Sequence, residues 1–421
     1  MAYDEMAYRR PSGETGEDPM AYPYRTDDYT TDYRGRRRGY EGDDLVTPAY
    51  VETSAEPLQR TTEDDGRDRL GIHIGWEIVL LLAVAAIGYL LYRLDPASLR
   101  RPALDTLLVS STVIGLLTMG AGLTLRAGVP NLAVGPIALA AALHYAENGD
   151  RGLVAAAWPA LTIAAVGGLI VALVVTSLHV PGWAATLVAA FGVIVVIQLR
   201  TAPVVVQGDY EPADQAYFLF LGFAVLALVG GGLGALRPVR RWLGRMRPAG
   251  DPATRRGPGA VLPVVLSLVL SSVFAVAAGF LMAAQSTAPI APSTGMEWTG
   301  LALGTAMLAG TSAYGRRGGI FGTLLAVAGV AMFLDYADRR EFDIALYAIA
   351  ACVFAGGLVI TRLVETYGRP LPVAGTDEVW NAAASTGTTR WSPELPENWS
   401  PGVSTSARSE GWDDGPWGTG R

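Results

Sequence analysis

Apolar residues in this chain fall into long runs separated by short polar links, and both ends of the chain are polar. The runs cover about 72–92, 105–125, 132–145, 153–177, 184–206, 216–236, 260–284, 297–313, 319–336 and 343–362. Most are long enough for a helix to cross the roughly 30 Å of a bilayer core, and the shorter ones suit half-helices or strong tilt. The pattern predicts an all-α polytopic membrane protein of about ten transmembrane helices, some short or broken. It divides the chain into a tail over 1–69, a membrane domain over 70–364 and a second tail over 365–421. The tails are rich in Gly, Pro, Ser, Thr, Asp, Glu and Arg and are expected to be disordered.

Three links carry most of the information. The first, Ala309-Gly-Thr-Ser-Ala-Tyr-Gly-Arg-Arg-Gly-Gly-Ile-Phe-Gly-Thr323, places five glycines (Gly310, Gly315, Gly318, Gly319 and Gly322) around Arg316 and Arg317. Glycine permits left-handed backbone and close helix approach, and the paired arginines hold the turn at a membrane face. The second, Arg126-Ala-Gly-Val-Pro-Asn-Leu-Ala-Val-Gly135, breaks the chain at Gly128 and predicts a helix that starts at the membrane face near Asn131, with Asn131 as its cap and Gly135 just inside. The third, Ser177-Leu-His-Val-Pro-Gly-Trp183, is a tight turn between two runs.

Composition changes this picture little. The chain has 421 residues, of which 51% are hydrophobic, and a net charge of −7 that comes mostly from the tails. All basic residues are Arg. The one cysteine, Cys352, rules out an intrachain disulfide, and His73, His144 and His179 lie far apart, so no metal site is expected. No Gly-Lys-Ser/Thr phosphate loop, catalytic constellation or cofactor motif occurs, and nothing calls for nucleic acid; the chain reads as a non-enzyme. The acidic residues at run ends, Glu77, Glu297 and Asp335, read as solvated or helix-stabilising groups. The longest internal polar segment, 237–259, carries seven arginines. Placing it in the cytoplasm puts both tails, Arg126, His179 and Arg316–Arg317 there too, in a plasma-membrane protein whose arginines favour the inside.

Taken together, the three links resemble a known family. Arg126–Gly135 is similar to a segment that opens a small-residue helix. Leu178-His-Val-Pro-Gly-Trp-Ala-Ala-Thr-Leu187 is similar to that family's hydrophobic-Pro-Pro-Phe-Ile-Ala-Thr-Leu turn. Gly295-Met-Glu, Gly310-Thr-Ser and Arg317-Gly-Gly-Ile-Phe-Gly-Thr-Leu324 resemble its Gly-Gly-Thr-Ser…Gly-Arg-Ile-x-Gly-Thr-Leu signature. The family is the permease subunit of ABC importers of the ribose, simple-sugar, nucleoside and branched-chain amino-acid type, and the likeness runs over about 72–363.

The resemblance implies a homodimeric or heterodimeric pore in membrane lipid, an ATPase subunit on the cytoplasmic side and a solute-binding protein outside. Polar residues for the translocation path are then Asn131, Gln198, Gln285, Thr311 and Ser312. The ATPase-coupling helix falls within 237–259, where Arg241, Trp242, Leu243 and Met246 offer a short apolar face before Pro248 stops it. That segment departs from the family's coupling pattern. An alternative reading follows: a permease-derived membrane scaffold or envelope protein no longer coupled to ATP hydrolysis.

Overall fold

The computed structural model describes residues 70–236, 239, 258–313 and 320–368. The polar tails lie outside the described residues, as do Arg241, Trp242, Leu243 and Met246 of the coupling segment and Gly315, Arg316, Arg317, Gly318 and Gly319 of the first link.

Ten α-helices occur among the described residues: α1 (Leu70–Leu94), α2 (Ala103–Arg126), α3 (Val134–Asn148), α4 (Leu153–Ser177), α5 (Gly182–Gln198), α6 (Ala216–Ala235), α7 (Pro258–Ala284), α8 (Met296–Leu308), α9 (Gly322–Arg339) and α10 (Leu346–Gly368). The only extended pairing among these residues is one antiparallel bridge between Val204 and Ile290. The described part of the chain is all-helical, as its apolar runs predict.

Six helices are long and apolar enough to cross a membrane: α1, α2, α4, α6, α7 and α10. The other four fall short for identifiable reasons. α3 has 15 residues and α8 has 13, about 22 Å and 20 Å at roughly 1.5 Å per residue, less than a ~30 Å hydrocarbon core. α5 is a shorter apolar helix of the same kind. α9 carries Asp335, Asp338 and Arg339 in its last turns.

The fifth run ends as a helix at Gln198 rather than continuing to Val206. Pro203 has no N–H to give a helix. The chain there turns extended, with Val204 bridging to Ile290 and the Gln207 N–H donating to the Ala146 carbonyl at 3.0 Å.

Burial separates a centre from a surround. Of the apolar window of α2, 67% is buried, against 11% for α1 and 17% for α4. α2 packs against α6, α7, α8 and α9, and α7 packs against α2, α3 and α4. A large core cluster joins Val113, Leu117 and Ala121 of α2 to Ala275 and Ala278 of α7 and Ala302 and Ala306 of α8. Such close packing needs small residues: a methyl group at Gly279 of α7 would collide with the Ala138 carbonyl of α3.

Candidate functional site

The two centrally packed breaks are built by the same local chemistry. After α2, Gly128 takes a φ of 75°. Its N–H donates to the Leu125 carbonyl and the Val129 N–H donates to the Thr124 carbonyl, both at 3.0 Å. After α8, Gly310 takes a φ of 92°, with its N–H on the Met307 carbonyl at 2.8 Å and the Thr311 N–H on the Ala306 carbonyl at 3.0 Å. Both are Schellman caps, in which a left-handed residue satisfies carbonyls that the helix end leaves open. The glycine signal in the sequence is therefore structural at both positions.

Asn131 organises the first break. Its Nδ2 donates to Ser271 Oγ at 3.0 Å, its Oδ1 accepts from the Ala133 N–H at 3.0 Å, and its own N–H donates to Thr124 Oγ1 at 3.2 Å. The expectation that Asn131 caps a helix starting at a membrane face is corrected here. The cap position belongs to Ala133 and α3 begins at Val134. Ser271, the partner of Asn131, lies near the middle of the Val261–Ala284 candidate span, so the break sits deep within the helical bundle. Only 3% of Asn131 is exposed, and its amide is spent on holding the loop.

Here the N-terminal ends of the half-helices α3 and α8 meet. The Gly135 N–H donates to Thr299 Oγ1 at 3.0 Å, and Thr299 Oγ1 donates to the Leu132 carbonyl at 3.1 Å. A methyl group at 135 would run into the Gly295 carbonyl and the Thr299 backbone. Gly295 itself is left-handed, with a φ of 71°. The turn before α5 joins the same assembly: Thr186 Oγ1 donates to the Pro130 carbonyl at 2.8 Å, and Gly182 lies against Val129.

α1 fastens the other end of α8. Trp76 Nε1 donates to the Leu308 carbonyl at 2.7 Å. Glu77 Oε1 accepts from the N–H groups of Phe321 and Gly322, at 2.9 and 3.2 Å. Glu77 does stabilise a helix start, as its position suggests, but the start belongs to α9 and not to its own helix. A carboxylate on two unpaired N–H groups at the positive end of a helix dipole is a favourable place for negative charge.

The proposed path residues do not converge on one space. Thr311 and Ser312 are each 2% exposed; the Thr311 N–H completes the α8 cap, and Ser312 is engaged. Gln198 donates to the Pro292 carbonyl at 3.4 Å on an exposed surface. Gln285 donates to Ser110 Oγ at 3.3 Å and lines a cavity of about 260 Å³ between α2, α8 and α9. Asn131 lines a different space, a mostly apolar groove of about 420 Å³ between α3, α4, α5 and α7.

Arg200 stands at the lining of that groove, where it grips Glu147 through two parallel hydrogen bonds, one of 2.8 Å. The carboxylate holds the Arg200 guanidinium above its usual pKa.

Sequence reasoning missed Thr124, Ser271 and Thr299. Hydroxyls within apolar helices ordinarily bond the preceding turn, as Ser111 does to the Leu107 carbonyl at 2.8 Å. Nothing local distinguishes Ser271, whose role depends on Asn131, 140 residues away. Among the described residues, no group of three or more His, Cys, Asp or Glu side chains is placed to hold a metal ion. Comparison with protein families, with curated proteins and with solved structures finds no match to this chain.

Proposed function

We propose that the chain is the membrane-spanning permease subunit of an ABC importer for a small polar solute of the sugar, nucleoside or branched-chain amino-acid kind. In this reading it sits in the plasma membrane as a homodimer or with a second permease. It takes solute from a binding protein outside and is driven by a separate ATPase inside.

One observation carries the reading: two half-helices, α3 and α8, meet N-terminus to N-terminus, and the loop that opens α3 is tied to the middle of α7 through Asn131 and Ser271. Broken helices inside a bundle are the usual means by which transporters expose backbone polar groups to a solute while lipid sees only intact helices. The Asn131, Thr124, Ser271 and Thr299 bonds satisfy the interrupted backbone in the closed arrangement, and a solute entering there would exchange for some of them. The resemblance of the three links to importer permeases supplies the ATP-driven part of the proposal.

Isolation of the protein from its native membrane with its bound partners tests it. Recovery of an ATPase, lost in large part on Trp242→Ala, supports the assignment. Full co-purification of the ATPase with that variant removes the coupling role of 237–259, and absence of any ATPase from the wild-type isolate contradicts the importer reading.

A further inference from the structure

The groove between α4 and α5 is filled by no described part of the chain. Its floor is α3 and α7, and its walls include Ala160, Gly167 and Val171 of α4 and Ala189, Gly192 and Val196 of α5. Two of the wall glycines have no packing reason within the chain. A methyl group built at Gly167 or at Gly192 meets no atom within 4 Å, whereas one at the neighbouring Gly168 would press on the Leu268 carbonyl. Close approach to α7 accounts for Gly168. Gly167 and Gly192 instead leave room for a body that lies between the helices.

That room offers hydrocarbon contact and no open hydrogen bond. Four polar side chains line it, and each is already engaged. Asn131 is bonded to Ser271 and to the Ala133 N–H. Ser272 Oγ donates to the Leu268 carbonyl at 2.9 Å. His144 Nε2 donates to the Ala156 carbonyl at 3.1 Å, and Arg200 is held by Glu147. An occupant with polar groups along its length would lose their hydration and gain nothing in return. Ile163 and Val196 line the groove and are also exposed, so it opens sideways towards the bilayer.

Length and width narrow the choice. From Ala160 to Val171, α4 rises about 16 Å at ~1.5 Å per residue, close to half of a ~30 Å hydrocarbon core. One end of the groove lies at Asn131 and Leu268, by the middle of α7. The other lies at Arg200 and His144, and His144 is bonded to α4 two residues from the exposed Trp158. An indole so placed marks the level of lipid headgroups. The groove therefore runs the depth of one leaflet. A helix with its side chains, about 10 Å across, needs on the order of 1,200 Å³ over that length. The groove has about 420 Å³, which suits something much thinner.

We propose that this groove holds one acyl chain of a bilayer phospholipid, lying along α4 and α5 with its headgroup at the Arg200–Glu147 end. The chain fills the gap between the two helices as a resident part of the fold and is not the transported solute. The proposal rests on the helices lying in a bilayer and goes beyond the permease reading.

Native mass spectrometry of the full-length protein in detergent, titrated with palmitoyl-oleoyl phosphatidylcholine, is the test. The wild type is expected to take up one lipid at a lower concentration than any further ones. Gly167→Phe and Gly192→Phe put a ring into the groove from opposite walls, at positions where nothing obstructs it. Each is expected to weaken the first binding by about tenfold or more, the loss of roughly two buried methylenes. Gly222→Phe, on exposed α6 and equally unobstructed, is expected to leave it unchanged. Uptake of lipid with no first tight site, equal losses in all three variants, or displacement of the lipid by chain-free glycerophosphocholine would each overturn the assignment. So would a wild-type dimer that the two groove variants break into monomers with lipid uptake unchanged, which would give the groove to a second copy of the chain. None of these results bears on whether an ATPase accompanies the chain, so the two proposals fail separately.

Discussion

α2 and α4 are near equals in sequence, 24 and 25 residues of apolar character, and opposites in place. α4 turns Val154, Trp158 and Ile163 outward, each more than 70% exposed, and bonds little beyond itself. α2 buries Ser111, Thr112, Thr118 and Thr124, is followed by a left-handed glycine, and touches five other helices. An apolar helix facing lipid needs only to be apolar all round. A helix in the middle of a membrane bundle can carry hydroxyls and small residues, because its neighbours satisfy the one and pack against the other. Hydropathy therefore counts the helices, while hydroxyl and glycine content sorts them into centre and surround.

The sharpest way to break this contrast is to put the same large side chain in both regions. Gly135→Leu drives a side chain into the Gly295 carbonyl and the Thr299 backbone. It should cost several kcal/mol, beyond the roughly 1–3 kcal/mol of ordinary overpacking, because backbone cannot move aside. Gly222→Leu places the same side chain on exposed α6, where no atom lies within 4 Å. Thermal unfolding in detergent should show a large loss or no folded protein for the first and an unchanged midpoint for the second. Similar losses in both would erase the distinction between centre and surround.

A smaller effect is expected where the surround fastens the centre. Glu77→Ala removes the carboxylate from the Phe321 and Gly322 N–H groups and should destabilise the protein by about 1 kcal/mol, the usual worth of a helix cap. The same unfolding measurement reads it as a shift of a few degrees, and a midpoint equal to wild type would mean that α1 is not needed to hold α9.

Much of this arrangement is legible in the sequence, for physical reasons that differ from one feature to the next. The helices from α1 to α10 follow the apolar runs because length and hydropathy are local quantities. Gly128 and Gly310 are legible because a left-handed cap admits few residues besides glycine. Gln198 and Thr311 look like path residues only because they are polar; one lies on an exposed surface and the other is buried in a cap. The depth of the first break is not legible, because it is set by Asn131 meeting Ser271 across 140 residues. Nor is the cavity, which depends on Gln285 meeting Ser110 across 175 residues and on α9 bringing two aspartates beside them.

The meeting of the first break with the middle of α7 is the claim on which the rest depends, and a cross-link reads it directly. With Cys352 changed to Ser, Asn131→Cys and Ser271→Cys replace two side chains now joined by a 3.0 Å hydrogen bond, and movement of the Asn131 loop toward α7 brings their Cβ atoms to the ~3.8 Å separation of a disulfide. Mild oxidation of the protein in membranes should give a bond between positions 131 and 271, seen by mass spectrometry of the digested chain. Two thiols that remain fully free to alkylating reagent after oxidation would contradict the account.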